Sequence, residues 1–184
     1  MVSQPDLAAA CGKALGAIDG WLGDDDRALL RARALETVPT LYGEILRRLP
    51  HGHLDHAEAA WLPIVRALGH LRHNVDCDKL DDGAKRAAYG RTVGYLLGLS
   101  GYSELRMSRL LTGRGIRLPQ AGENALDLLI RKRAGTCRLN DLAVLVVADA
   151  IGDRPAHAWA RRRMAMDYAR GGEAAGADIS KSAA

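Results

Sequence analysis

Residues 139–151 read Leu139-Asn140-Asp141-Leu142-Ala143-Val144-Leu145-Val146-Val147-Ala148-Asp149-Ala150-Ile151. Wound as a helix from 141 to 151, this stretch places Leu142, Val144, Leu145, Val146, Val147 and Ile151 around nearly its whole circumference. A helix with so little polar surface needs neighbours on every side, so it is expected at the buried centre of an all-α fold. Composition points the same way. Apolar residues make up 48% of the 184, Phe is absent and aromatics reach only 4%. Leu, Ala, Val and Ile must therefore fill the core, which favours thin, closely packed helices over strands rich in aromatic and β-branched side chains.

Helical patterns extend to both sides of this centre. Upstream, residues 123–134 and 104–111 read as helices, the second capped by Ser103 after a tight turn at 99–103. The intervening 112–122 holds three glycines and Pro119 and reads as a loop. Downstream, residues 155–169 form a helix that Pro155 opens and Gly171-Gly172 closes, with a small, polar, disordered tail over 171–184. In the first half, helices are expected over 6–22, over 24–35 with Asp24 as cap, and over 40–48. A fourth carries Trp61, Ile64, Val65, Leu68 and Leu71, and Pro63 either starts or kinks it. The acidic, aperiodic 75–83 separates two packed helical bundles, 1–75 and 84–170, and helix resumes at 84. No sheet is expected.

Charge is unevenly distributed. Residues 1–100 carry 12 basic and 13 acidic side chains, whereas 101–170 carry 13 and 7, and the whole chain has 21 Arg against 5 Lys. Arg offers a planar, bidentate fork to phosphate, so an Arg-rich half opens a polyanion-binding reading; a GC-rich genome writing Arg for Lys is the plainer one. Arg27 and Arg31 share a helical face. Arg106 and Arg109 lie on the helix that Ser103 caps, leaving Met107, Leu110 and Leu111 for the core, and Arg114 and Arg117 extend that surface. Arg131 ends a helix, where a cation also suits the dipole. Arg161 and Arg162 flank the apolar stripe Ala156, Trp159, Ala160, Met164 and Tyr168. Arg163 falls inside it and is expected to pair with Asp167.

Other chemistries find little footing. His51, His53, Asp55 and His56 fall in a connection without fixed ligand geometry, while His70 and His73 share a solvated stripe with Arg66, so no metal is expected. Three widely spaced cysteines give neither a disulfide framework nor a zinc motif. Neither a nucleophile elbow nor a phosphate-binding glycine loop occurs, so no enzyme activity and no cofactor are expected. No apolar run approaches the ~20 residues that span a bilayer, and the first residues lack a basic leader, so a cytoplasmic protein is expected.

Four stretches, in order, resemble the CasB family, the small subunit of the type I-E CRISPR surveillance complex, Cascade. They are Asp26-Arg27-Ala28-Leu29-Leu30-Arg31-Ala32-Arg33; Ser103-Glu104-Leu105-Arg106-Met107-Ser108-Arg109-Leu110-Leu111; Leu139-Asn140-Asp141-Leu142-Ala143; and Arg161-Arg162-Arg163-Met164-Ala165-Met166-Asp167-Tyr168. Three positions depart from the family's pattern. Ala32 separates two arginines that are usually adjacent, Met164 stands for a frequent Trp, and Asn140 stands for an aromatic. The resemblance implies a non-catalytic helical subunit, present as two copies beside the guide RNA. Its partners would be the other Cascade subunits, and its basic surface would hold the target and displaced DNA strands of the R-loop. A helix-turn-helix regulator, with 88–97 and 104–111 flanking the turn at 100–101, is the alternative.

Overall fold

The computed structural model describes residues 4–32, 39–52, 55–73 and 92–182. Within them the chain is mostly helical: α1 (Gln4–Trp21), α2 (Asp24–Arg31), α3 (Pro39–Arg48), α4 (Asp55–Leu68), α5 (Val93–Leu99), α6 (Glu104–Thr112), α7 (Arg117–Arg131), α8 (Asn140–Ala150) and α9 (Arg154–Ser182). The expected boundary at 75–83, the helix start at 84, and His53 and Cys77 lie outside the described residues, but the helix expected to run from 84 to 97 is broken at Thr92, which is extended and caps α5. No described helix is long and apolar enough to cross a membrane.

Helix α8 occupies the centre that its sequence demands. Every residue from Asn140 to Ala148 is buried. It receives α1 and α4 from the first half of the chain and α7 and α9 from the second. Cys11, Leu15, Trp61, Ile64 and Leu68 therefore join Leu142, Leu145 and Val146 in one apolar core. Pro63 neither starts nor ends α4 but lies inside it. Cys11 and Cys137 are buried free thiols, and burial pushes the Cys11 thiol up to about 12.

Several local expectations need correction. Asp24 does not cap α2. Gly23 precedes the helix in an extended conformation, and the Asp26 carboxylate accepts from its N–H at 3.1 Å, the return half of a capping box. A small sheet exists: β1 (Arg72–His73) pairs in parallel with β2 (Thr136–Cys137), and Thr92 bridges Arg138 beside it. His73 is consequently not on a solvated stripe. Helix α4 ends at Leu68, and strand alternation turns Arg72 outward and His73 into the core. Helix α7 begins six residues before the expected start. Pro119 is tolerated there because the first helical N–H groups have no intrahelical acceptor to serve.

The largest departure is at the C-terminal end. Gly171-Gly172 does not close α9, which continues to Ser182 where a disordered tail was expected. These glycines lie at a helix crossing. A methyl group on Gly171 would strike the Tyr95 carbonyl oxygen, and one on Gly98 the Tyr168 carbonyl oxygen. Gly94, likewise, faces the Met164 carbonyl. Glycine here lets α5 and α9 approach backbone to backbone, and a residue read as a stop serves as a packing surface.

Candidate nucleic-acid interface

Helix α6 orients the first pair of candidate arginines. The Ser103 hydroxyl accepts from the Arg106 N–H at 3.4 Å, and Glu104 complements the positive end of the dipole. Met107 and Leu110 are buried against the core, which leaves Arg106 and Arg109 exposed. Helix α7 packs beside α6 and sets Arg117, Asn124 and Arg131 at seven-residue intervals, two turns apart and therefore on one face.

Two clefts run along this junction and a third lies among α2, α4 and α7, each sharing lining residues with the next. Arg109, Arg114 and Arg117 line the largest, about 840 Å³. Arg109 and Asn124 also line the next, about 360 Å³, together with Arg106 and Arg131. Arg131 and Asp127 then border a third, about 200 Å³, where Arg31 and Arg66 arrive from α2 and α4. The fold thus places Arg31, Arg106, Arg109, Arg114, Arg117 and Arg131 on three adjoining clefts. The described residues form no ion pair with Arg106, Arg109, Arg117 or Arg131. Arg31 donates to the Gly69 carbonyl at 3.2 Å, and Arg114 pairs with Asp149 at 3.0 Å. Such a concave run of guanidinium groups can accept successive phosphates while excluding little else by shape.

Arg27 does not join them. Only 3% exposed, it donates to the Asp19 carboxylate and the Asp19 carbonyl, both at 2.7 Å, and to the Leu68 carbonyl. Sharing a face with Arg31 was correct geometry, but the first turn of α2 meets the ends of α1 and α4, where these oxygens enclose the guanidinium. Arg161 and Arg162 are exposed on α9. His157, a buried residue of that same helix, has its pKa lowered by burial first and then by Arg114, Asp149 opposing and Arg161 adding to the effect, so Arg161 and Arg114 act on one neighbourhood.

The expected Arg163–Asp167 pair is replaced by another. Arg163 Nε lies 3.7 Å from Asp141 Oδ2. Asp167 is buried against α5, where it accepts from the Thr92 hydroxyl at 2.9 Å and pairs with Arg170 at 3.4 Å. The i,i+4 spacing was right, but a nearer hydroxyl and a nearer cation take the Asp167 carboxylate. Burial raises the Asp141 pKa, which Arg163 partly offsets.

No protein-family model, curated protein or solved structure matches this chain. Among the described residues no group of three or more His, Cys, Asp or Glu could hold a metal ion. Sequence reasoning overlooked Asn124 and Asp149, and it left Arg66, here paired with Glu123, on a solvated stripe. The first was legible in principle, since Arg117, Asn124 and Arg131 fall on one stripe once the helix is begun at 117. The other two come from distant elements and leave no local signal.

Proposed function

We propose that the protein is a non-catalytic subunit that binds nucleic acid without sequence preference, in the manner implied by its resemblance to CasB. In that role two copies lie in a type I-E Cascade ribonucleoprotein in the cytoplasm, beside the guide RNA and the other Cascade subunits, and steady the target and displaced strands of the R-loop. The subunit keeps an N-terminal bundle over 1–75 and a basic C-terminal bundle over 84–170, meeting at α8. The observation that carries the reading is the set of three adjoining clefts lined by six arginines, four of them without an ion pair among the described residues. The regulator reading draws support from the α5–turn–α6 succession. Against it, Arg106 and Arg109 open into a cleft beside α7 rather than project from a free recognition helix.

The test is binding of mixed-sequence single-stranded DNA at several salt concentrations. Two or three effective contacts predict a log–log slope of about −1.5 to −2, at ~0.7 per phosphate. Arg106→Ala/Arg109→Ala should weaken binding for all sequences and flatten the slope by about 1.4, with an unchanged melting temperature. Arg27→Ala should leave the slope intact and cost about 3–5 kcal/mol of stability, because it strands a carboxylate and two carbonyls. Undiminished binding by the double variant, or a footprint on one sequence, would overturn the proposal. Co-purification with guide RNA and the Cascade subunits tests the assembly itself.

A further inference from the structure

The loop between α6 and α7 is the wall between two unlike grooves. On one side is the cleft of Arg109, Arg114 and Arg117. On the other, α4, α7 and α8 enclose an apolar slot of about 640 Å³ with Leu62, Pro63, Pro119 and Val146 in its lining. Ile116 and Gln120 border both. The slot falls within the ~300–1,000 Å³ typical of ligand-sized sites.

Ile116 is 90% exposed at the crest of this wall. Its position is built, because Asp149 grips the loop twice. One carboxylate oxygen pairs with Arg114 at 3.0 Å and the other accepts from the Gly115 N–H at 2.7 Å, with Gly115 at φ +52°. The loop is thereby fixed with an isoleucine held out of the core, where its apolar surface is free to be covered by a ligand.

The charges divide the two sides. The arginine cleft attracts phosphate. At the slot, Glu123 is paired with Arg66 at 3.0 Å and Asp149 with Arg114, so its rim carries carboxylates and no spare cation. An anion finds no unpaired cation there, while a flat, uncharged group is accepted. A ligand that uses both sides must carry charge and apolar surface on adjacent parts of one molecule. Resting on the proposed phosphate-binding role of the arginines, we infer that the slot receives unpaired bases of a single strand whose phosphates lie on Arg109 and Arg117, the cations of that cleft not held by Asp149. Ile116 packs on the base face at the crossing. Gln120 Nε2 donates to Glu123 at 3.3 Å, which leaves its amide oxygen to meet a base edge. Duplex DNA, with its bases stacked and paired, cannot fill the slot, so the site favours single strands.

The experiment compares an oligothymidylate with an abasic polymer of the same length and charge, each titrated with the full chain at several salt concentrations. The wild type should bind the thymidylate about five- to ten-fold more tightly, as expected for withdrawing about 40–60 Å² of apolar surface from water. The two salt slopes should be equal, because the phosphate contacts are the same. Ile116→Ala should abolish the difference without changing the melting temperature, since the side chain is outside the core. Equal affinity of the wild type for both polymers, or a preference that survives Ile116→Ala, overturns the base slot and leaves phosphate binding standing. If neither polymer binds, the phosphate reading fails and takes the slot with it.

Discussion

His73 joins distant parts of the chain through one ring nitrogen. Its Nδ1 accepts from the Leu139 N–H at 3.3 Å, next to the parallel pairing of β1 and β2. Burial lowers its pKa to about 4, with Asp19 opposing the shift and Arg138 adding to it. The folded protein therefore holds the neutral ring, while the unfolded chain protonates near 6.5. Above pH 6.5 this contribution to stability is fully present. It is lost as pH falls from about 6.5 to about 4, by up to ~3 kcal/mol at 1.36 kcal/mol per pH unit. Asp141, whose pKa is raised, contributes in the opposite sense, gaining stability as it takes up a proton. His73→Asn keeps an acceptor in the place of Nδ1 and removes the titration. Urea unfolding of both proteins between pH 4 and 7.5 isolates the difference, and it should vanish for a ring that is charged in the native state. Residue identity alone did not reveal this role. A histidine five positions beyond the last turn of α4 carries the helical period in sequence, and only the chain's exit into β1 reverses the face it presents.

Adjacent glycines in α9 carry opposite expectations. Gly171→Ala should destabilise by about 1–3 kcal/mol through overpacking against the Tyr95 carbonyl. Gly172→Ala, which meets nothing within 4 Å on an exposed helical face, should stabilise by ~0.5–1 kcal/mol from propensity alone. Thermal melting of the two variants checks both signs, and equal shifts would contradict the close α5–α9 crossing. The same contrast explains what was legible among the elements. Periodicity located α1, α4, α6 and α8, together with the buried stripe of α9 at Ala156, Ala160 and Met164. It failed where Gly or Pro has two meanings. Pro119 fits the first turn of a helix as well as a loop, and Gly171-Gly172 fits a crossing as well as a cap. For the glycines the sequence cannot say which, because the deciding atoms belong to α5, more than 70 residues earlier in the chain. The candidate site shows the same limit. The arginines of α6 were readable from Ser103 onward, whereas the burial of Arg27 and the grip of Asp149 depend on partners from other helices.

At the scale of the molecule, the two sequence halves interleave. Helices α1 and α4 complete their packing on α8, α4 also meets α7, and β1 pairs with β2. Fragments divided within 75–83 and expressed together should therefore co-purify as a stable complex, and neither alone should give a cooperative melt. Two independently folding fragments would contradict the shared core. The central place of α8 also has a consequence during synthesis. About 80 residues separate the end of α4 at Leu68 from the end of α8 at Ala150, which at ~5–20 residues per second is ~4–16 s of translation. Throughout that interval Trp61, Ile64 and Leu68 have emerged from the ribosome without the helix they pack on. The nascent first half is then a natural client for chaperones that hold apolar segments, and a message truncated before codon 140 would yield a product destined for degradation.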